Sequence, residues 1–245
     1  MQTGLTKLNG EPTASYSLRT LQNHTLIEGN VLVTNKGDRV QFHNIIARYD
    51  LRKVVAMVES GKVRRLSMYN GLSNVPKTCG VVLFHQVTNP LVTSAEITAV
   101  ISAAKEAGAA AVGRPVKDTI KIVVASDHSV IKTIHRSEPY IRSDIEAMCA
   151  PNRKVEIELY QTETPQAMQY QLAIDSYKAA MENYARFTDD VQVVESNSKV
   201  NVTIVPASPW NIRMASETDV ITLGAFRPYH EKEECGWLAA QRDSA

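Results

Sequence analysis

The sequence predicts an α/β protein: a three-layer α/β/α arrangement around a mostly parallel sheet, with a projecting β-hairpin arm. Three observations carry that expectation. GVVLFH (80–85) is a short continuous apolar run, the pattern of a strand buried on both faces. SAEITAVISAAKEAG (94–108) sets Ile97, Val100, Ile101 and Ala104 at i, i+3, i+4 and i+7, the stripe of a core-facing helix. AAAVGRPV (109–116) then restarts a strand, which completes a βαβ unit with its right-handed crossover.

The other elements follow in order. Ala14 to Gln22 places Leu18 and Leu21 at helical spacing. IEGNVLVT (27–34) reads as a strand ending in polar Asn35-Lys36-Gly37-Asp38. RVQFHNIIARY (39–49) has Val40, Ile45 and Ile46 in a helix-like pattern, and LRKVVAMVE (51–59) is a second strand. Gly61 marks a turn, and RLSMYNGL (65–72) opens a short helix with Gly71 near its C-terminus. Pro90 stops the 80–85 strand. Ser94 is expected to cap the next helix through its hydroxyl, and Gly108 to end it. TIKIVV and SVIKTI flank Ala125-Ser126-Asp127-His128 as a hairpin. Residues 137–163 suggest a short helix at 143–149 and a strand at 154–161. After Pro165, residues 166–184 read as an amphipathic helix with Leu172, Ile174, Tyr177 and Met181 near one face. VNVTIVPA (200–207) is a strand, and Ser216 caps a last helix at roughly 217–226. The remainder, RPYHEKEECGWLAAQRDSA, shows no periodicity and is expected to fray. The organisation is a single domain over 1–226, with an arm at about 115–137, an insertion at about 138–163 and a tail at 227–245.

Composition narrows the function. The 245 residues carry 27 basic and 26 acidic side chains, a formal charge of +1, which excludes a strongly basic nucleic-acid binder. Hydrophobic content of 44% and charged content of 22% exclude wholesale disorder. No apolar run approaches the ~18 residues of a membrane span. MQTGLTKLNG has no apolar leader region, which fits a cytoplasmic protein. Cys79, Cys149 and Cys235 are odd in number and far apart, as in a reducing compartment. No Cys/His spacing suits zinc, and the histidines are scattered singly.

Sites in open α/β sheets lie at the carboxyl ends of the strands, so the loops after residues 34, 59, 85 and 205 are the candidates. His85-Gln86-Val87-Thr88-Asn89-Pro90 could hold a sugar or a base, or be an ordinary capped loop. Ser60-Gly61-Lys62-Val63-Arg64-Arg65-Leu66-Ser67 places three cations and two hydroxyls before a helix start, a phosphate-binding pattern without P-loop spacing. Arg114, Lys117, Lys121, Lys132 and Arg136 lie on or beside the hairpin. Strand alternation would put Lys117, Thr119 and Lys121 on one face, suited to a phosphate ester or to blocking edge pairing. Asp189-Asp190 could be a metal-binding pair, but two acids after Thr188 more often flank a helix start.

GVVLFHxxxxP with LVTSAEI (80–97), GAAAVGRPVKDTIK (108–121), VIKTIHRS (130–137), TPQAM (164–168), TDD (188–190) and NIRMASETD (211–219) form an ordered set, with weaker segments LNGEP (8–12) and SGKVRRLSMYNGL (60–72). The set resembles the cytidylyltransferases of the methylerythritol phosphate pathway and their ribitol-5-phosphate relatives, over about residues 5–226. The resemblance implies a nucleotide-diphospho-sugar transferase-like fold. It implies transfer of CMP from CTP to a polyol phosphate, with release of pyrophosphate and with Mg²⁺ and protein cations stabilising the transferring group. It implies a homodimer whose hairpin arm reaches the neighbouring subunit's site, with Thr119 and Arg136 binding the polyol phosphate and Lys117 close by. Ser67 and Gly61 would lie at the nucleotide, with Gln86 at the ribose end. Thr164 would line the polyol site, and Arg213 stands where the family has a lysine contacting the reacting phosphates. Arg136 and Arg213 would be the catalytic cations.

The chain departs from the family pattern in three places. The glycine-rich loop that cradles the triphosphate would end where Met1-Gln2 begins, and the first strand would be missing from the sheet or replaced. Gln86 stands at the family's acidic position and Asn89 at its arginine, and an amide supplies no charge to Mg²⁺. About 17 extra residues separate Arg136 from Thr164. The alternative reading is a catalytically impaired nucleotide or sugar-phosphate binding subunit or dimer partner. A plastid location stays open on the same ground as the missing loop.

Overall fold

The computed structural model describes residues 4–134, 158–183 and 187–243. Two compact units emerge, Met1–Val112 with Glu163–Ala245, and Gly113–Thr162.

The larger unit begins with a two-strand turn, β1 (Lys7–Leu8) against β2 (Glu11–Pro12). Asn9 and Gly10 between them both have positive φ, 48° and 85°, as an Asn-Gly hairpin turn requires. Helix α1 (Thr13–Asn23) follows, then β3 (Asn30–Thr34), α2 (Arg39–Arg48), β4 (Val54–Glu59), α3 (Arg64–Leu72), β5 (Val81–Phe84) and α4 (Ser94–Ala107). Strand β6 (Ala109–Pro115) leaves this unit, and β9 (Tyr160–Gln169) re-enters it. Helices α5 (Tyr170–Glu182) and α6 (Val191–Asn197), strand β10 (Val202–Pro206) and helix α7 (Glu217–Asp243) complete it.

The sheet is in two parts. β3 and β4 pair in parallel, and a four-stranded sheet has the order β10-β6-β9-β5. Both faces of the larger sheet are covered, as alternation dictates. Ala109, Ala111, Val82, Phe84 and Met168 face α5, α6 and Leu72 of α3. Ala110, Val112 and Ala167 face Val100 and Ala104 of α4. Ile97 and Ile101 of α4 in turn pack on Leu21 of α1. The expected α/β fold is present. The β3–β4 pair stands apart from the four-stranded sheet, and β5 runs antiparallel to β9 in a sheet otherwise expected to be mostly parallel.

Three expectations are corrected. Thr93, not Ser94, caps α4: its hydroxyl accepts from Glu96 N while Glu96 Oε2 accepts from Thr93 N, a capping box that only the earlier residue can form. Residues 166–169 are strand, not helix, because β9 pairs residue by residue with β5 from Phe84↔Gln166 to Val81↔Gln169. That pairing buries Ala167 and Met168 on opposite faces. The segment after 226 is not frayed but continues α7 to Asp243. It is held by buried His230, half-buried Glu234 and Trp237, and by exposed Tyr229 and Glu233 against Trp210, polar or aromatic residues that a search for aliphatic periodicity passes over. Ser216 does cap this helix, accepting from Asp219 N while Asp219 Oδ2 accepts from Ser216 N.

The smaller unit holds the expected hairpin, β7 (Ile120–Val123) antiparallel to β8 (Val130–Ile134). Lys121 Nζ donates to Thr133 Oγ1 at 2.8 Å, and the Asp127 carboxylate closes the turn on Ser129 N at 2.9 Å. Lys117 and Thr119 are exposed and precede β7, whose ladder starts, among the described residues, at Ile120 opposite Ile134. Arg136, Cys149 and the expected helix at 143–149 lie outside the described residues, as does most of the expected strand at 154–161. Among the described residues no helix is long and apolar enough to cross a membrane.

Candidate active site

The strand-end loops of the larger unit meet in pairs. Ser60, after β4, donates its hydroxyl to Asn35 Oδ1, after β3, at 2.7 Å. The loop after β5 meets the loop after β10 at two points: Asn89 Nδ2 donates to Asn211 Oδ1 at 3.0 Å, and Met214 N donates to Thr88 O at 2.7 Å.

Two sets of the predicted site residues come together. Gly61 N donates to Ser67 Oγ at 3.0 Å, so the first turn of α3 folds back on the turn after β4. A Cβ on Gly61 would lie 2.4 Å from Leu66 Cγ, so only glycine allows that closure. Gln86 N donates to the Thr164 side-chain Oγ1 at 3.2 Å, two residues past the end of β5 and in register with its pairing to β9. Arg213 is exposed and lies beside Met214 in the β10 loop, so its charge faces solvent next to the Thr88 contact.

Arg64, which the sequence reading treated only as one cation of a turn, connects these sets. Its guanidinium donates to Asp190 Oδ2 at 2.5 Å. With the Gln86 amide turned so that its oxygen faces Arg64, that oxygen accepts from both terminal nitrogens at 3.0 and 3.2 Å. Asp190 is buried and also accepts from Tyr177 Oη at 2.7 Å. Burial raises the Asp190 pKa, and the Arg64 charge opposes that rise. Burial likewise raises the Tyr177 pKa, with Asp190 adding to it, so the phenol stays a donor. The Asp189-Asp190 pair therefore flanks a helix start, as its alternative reading held, with Asp189 Oδ1 accepting from Gln192 N.

A second missed group is Asn211, buried completely. Its amide nitrogen donates to Glu96 Oε1 at 3.0 Å and to Thr164 O at 2.9 Å. Asn89 Nδ2 also donates to Glu163 Oε2 at 2.9 Å. His85 closes the same loop through Nε2 and Asn89 O at 3.1 Å. Burial pushes its pKa down to about 4, so the ring is neutral near pH 7.

The donor set does not suit a protein-held magnesium ion. Magnesium takes carboxylate oxygens. Gln86 offers a neutral amide already turned to Arg64, Asp190 is committed to Arg64 and Tyr177, and Glu163 accepts from Asn89. Among the described residues no group of three or more His, Cys, Asp or Glu could hold a metal.

Helices on both faces of the sheet, with polar loops gathered at strand ends, define an α/β protein of the nucleotide-diphospho-sugar transferase fold. Solved structures agree. The 4-diphosphocytidyl-2C-methyl-D-erythritol synthase of Anaerococcus prevotii superposes with a TM-score of 0.73 at 24% identity, covering 92% of each chain. The 2-C-methyl-D-erythritol 4-phosphate cytidylyltransferase of Thermus thermophilus gives 0.66 at 18% identity, over 91% of this chain and 92% of that one. The family model for 2-C-methyl-D-erythritol 4-phosphate cytidylyltransferase matches residues 1–143 and 146–226. Relatives of that name from Desulforamulus reducens and Alkaliphilus oremlandii are 31% and 32% identical, over 90% and 88% of this chain and 85% and 82% of theirs. The chain belongs to the 2-C-methyl-D-erythritol 4-phosphate cytidylyltransferase family.

Proposed function

We propose that this protein transfers CMP from CTP to methylerythritol 4-phosphate, forming a CDP-polyol and pyrophosphate in isoprenoid precursor synthesis. The observation that carries this is the family match over nearly the whole chain, joined to two preassembled ends of one site, the Gly61–Ser67 turn and the Gln86–Thr164 contact.

A phosphate oxygen of the polyol phosphate attacks the α-phosphorus of CTP in line. The bond from that phosphorus to the bridging oxygen breaks, and pyrophosphate leaves with the electron pair. The Gly61–Ser67 turn holds the cytosine. Gln86, fixed by Arg64 and Thr164, borders the ribose, and Thr164 lines the polyol side. Exposed Arg213 offsets charge on the reacting phosphates, where a fixed cation is worth more than in bulk water. Thr119, Lys117 and Arg136 of a second copy grip the polyol phosphate, which makes the working form a homodimer. Among the described residues no carboxylate cage for magnesium is present, and such an ion would be held mainly by the phosphates of the nucleotide.

Pyrophosphate release from CTP with methylerythritol 4-phosphate, and separately with ribitol 5-phosphate, tests the proposal. Turnover with the first confirms it, and turnover with the second alone moves the substrate to ribitol phosphate. No release with either, and no CTP binding by calorimetry, overturns it.

A further inference from the structure

The family match ends at residue 226, yet α7 runs on to Asp243. That continuation grips the two loops that carry the candidate site. Glu234 Oε1 accepts from Ser94 N at 2.7 Å, and its Oε2 accepts from the Ser94 hydroxyl at 2.6 Å. The negative carboxylate sits at the start of α4, where unpaired amides and the helix dipole favour it. His230, buried, makes a 2.9 Å contact from Nε2 to Val92 O.

Trp237 stacks on the ring of His24 with centroids 5.1 Å apart. His24 Nδ1 accepts from Leu26 N, which leaves Nε2 as the donor to Ser94 O at 3.1 Å. The amide, hydroxyl and carbonyl of Ser94 are thus all held by α7 or by the ring stacked on it. Ser94 follows the 85–90 loop by only a few residues.

The second grip is on the loop after β10. Trp210 Nε1 donates to Glu233 Oε2 at 2.7 Å, and its ring stacks on Tyr229 with centroids 5.2 Å apart. Trp210 precedes Asn211, whose amide bonds Asn89 and Thr164 O. One helix therefore reaches both loops, by side chains directed at loop backbone and loop side chains.

We infer that α7 beyond Phe226 is a positioning strap, with Glu234, His230 and Glu233 fixing the spacing between the loop of Gln86 and Asn89 and the loop of Arg213. The inference rests on the cytidylyltransferase reading of that site. These residues act through Ser94, Val92 and Trp210 and touch no substrate. The Gly61–Ser67 turn closes on itself through the Ser67 hydroxyl, and among the described residues no hydrogen bond joins Gly61 or Ser67 to α7, so the strap should govern the chemical step more than nucleotide binding.

The test compares the native chain with Glu234→Ala and Glu234→Gln, by steady-state pyrophosphate release and by amide hydrogen exchange on the same samples. Glu234→Ala should lower kcat about tenfold while KM for CTP changes less than about threefold, and exchange over 85–94 should quicken about tenfold. Glu234→Gln keeps an acceptor for Ser94 N and should restore most of both. A native kcat in Glu234→Ala, or unchanged exchange over 85–94, overturns the strap. If the native chain releases no pyrophosphate, the cytidylyltransferase reading fails by itself, and the exchange data alone decide for or against the strap.

Discussion

Asn89 and Asn211 face each other across the junction of the β5 and β10 loops, with Asn89 Nδ2 donating to Asn211 Oδ1 at 3.0 Å. Both are almost wholly buried, at 1% and 0% exposure. Asn211→Ala would strip partners from Asn89, Glu96 and Thr164 O together. Each buried group left short costs about 1–3 kcal/mol, so a loss of roughly 3 kcal/mol is expected. Urea unfolding of the variant measures it, and a midpoint equal to the native one would refute the junction's importance.

The Gly61–Ser67 contact predicts a binding defect. Ser67→Ala removes the acceptor for Gly61 N and frees the turn. CTP affinity by calorimetry should fall about fivefold to tenfold, with little change in thermal midpoint, since the lost hydrogen bond is worth about 1 kcal/mol.

Arg64→Met leaves Asp190 buried and without its counter-charge. Removing one partner of such a pair typically costs about 3–5 kcal/mol, whereas Arg64→Met combined with Asp190→Asn should recover part of it. Chemical denaturation of the single and double variants gives the coupling. Additive losses would show that the pair does not act as a unit.

His85 sets an acid limit. Its pKa falls from an ordinary 6.5 to about 4 in the folded chain, so the unfolded chain binds more protons between those values. The contribution is complete above pH 6.5 and is lost as pH drops toward 4, a loss of roughly 3 kcal/mol. His24, whose pKa burial also lowers, adds in the same direction. Stability measured against pH should decline over that window, and the decline should be shallower in His85→Gln.

Gly108 has φ of 98°, and a Cβ there would meet Val200 Cγ1 at 2.8 Å. Gly108→Ala should therefore destabilise by about 1–3 kcal/mol, read as a lower thermal midpoint.

From α1 to α4 the helices and strands were legible because their core residues are largely aliphatic and periodic, as Ile97, Val100, Ile101 and Ala104 are, whereas β1 and β2, two residues each, are too short to show any alternation. Gln166 to Gln169 misled because long-range pairing with β5 overrode a local pattern that continued smoothly into α5. The end of α7 was hidden because His230, Glu234 and Trp237 bury polar or aromatic groups against loop backbone. Within the candidate site, the cations and hydroxyls of the Ser60–Ser67 turn drew attention to Gly61 and Ser67, whereas Thr164 stood out only through the family resemblance of its TPQAM segment. Arg64 was indistinguishable from Lys62 and Arg65 until Asp190, far away in sequence, came to meet it.

The split between the β3–β4 pair and the four-stranded sheet has a mechanical consequence. Among the described residues no backbone ladder ties the two together, so side chains and loops alone couple them. Helix α3 lies between them, with Gly71 set so close to β3 that an added Cβ would touch Val33, while Leu72 enters the core beneath β5 and β6. Sliding of one sheet along that helix would change the distance between the Gly61–Ser67 turn and the Gln86–Thr164 contact at the cost of side-chain contacts, with the strand ladders of both sheets left intact.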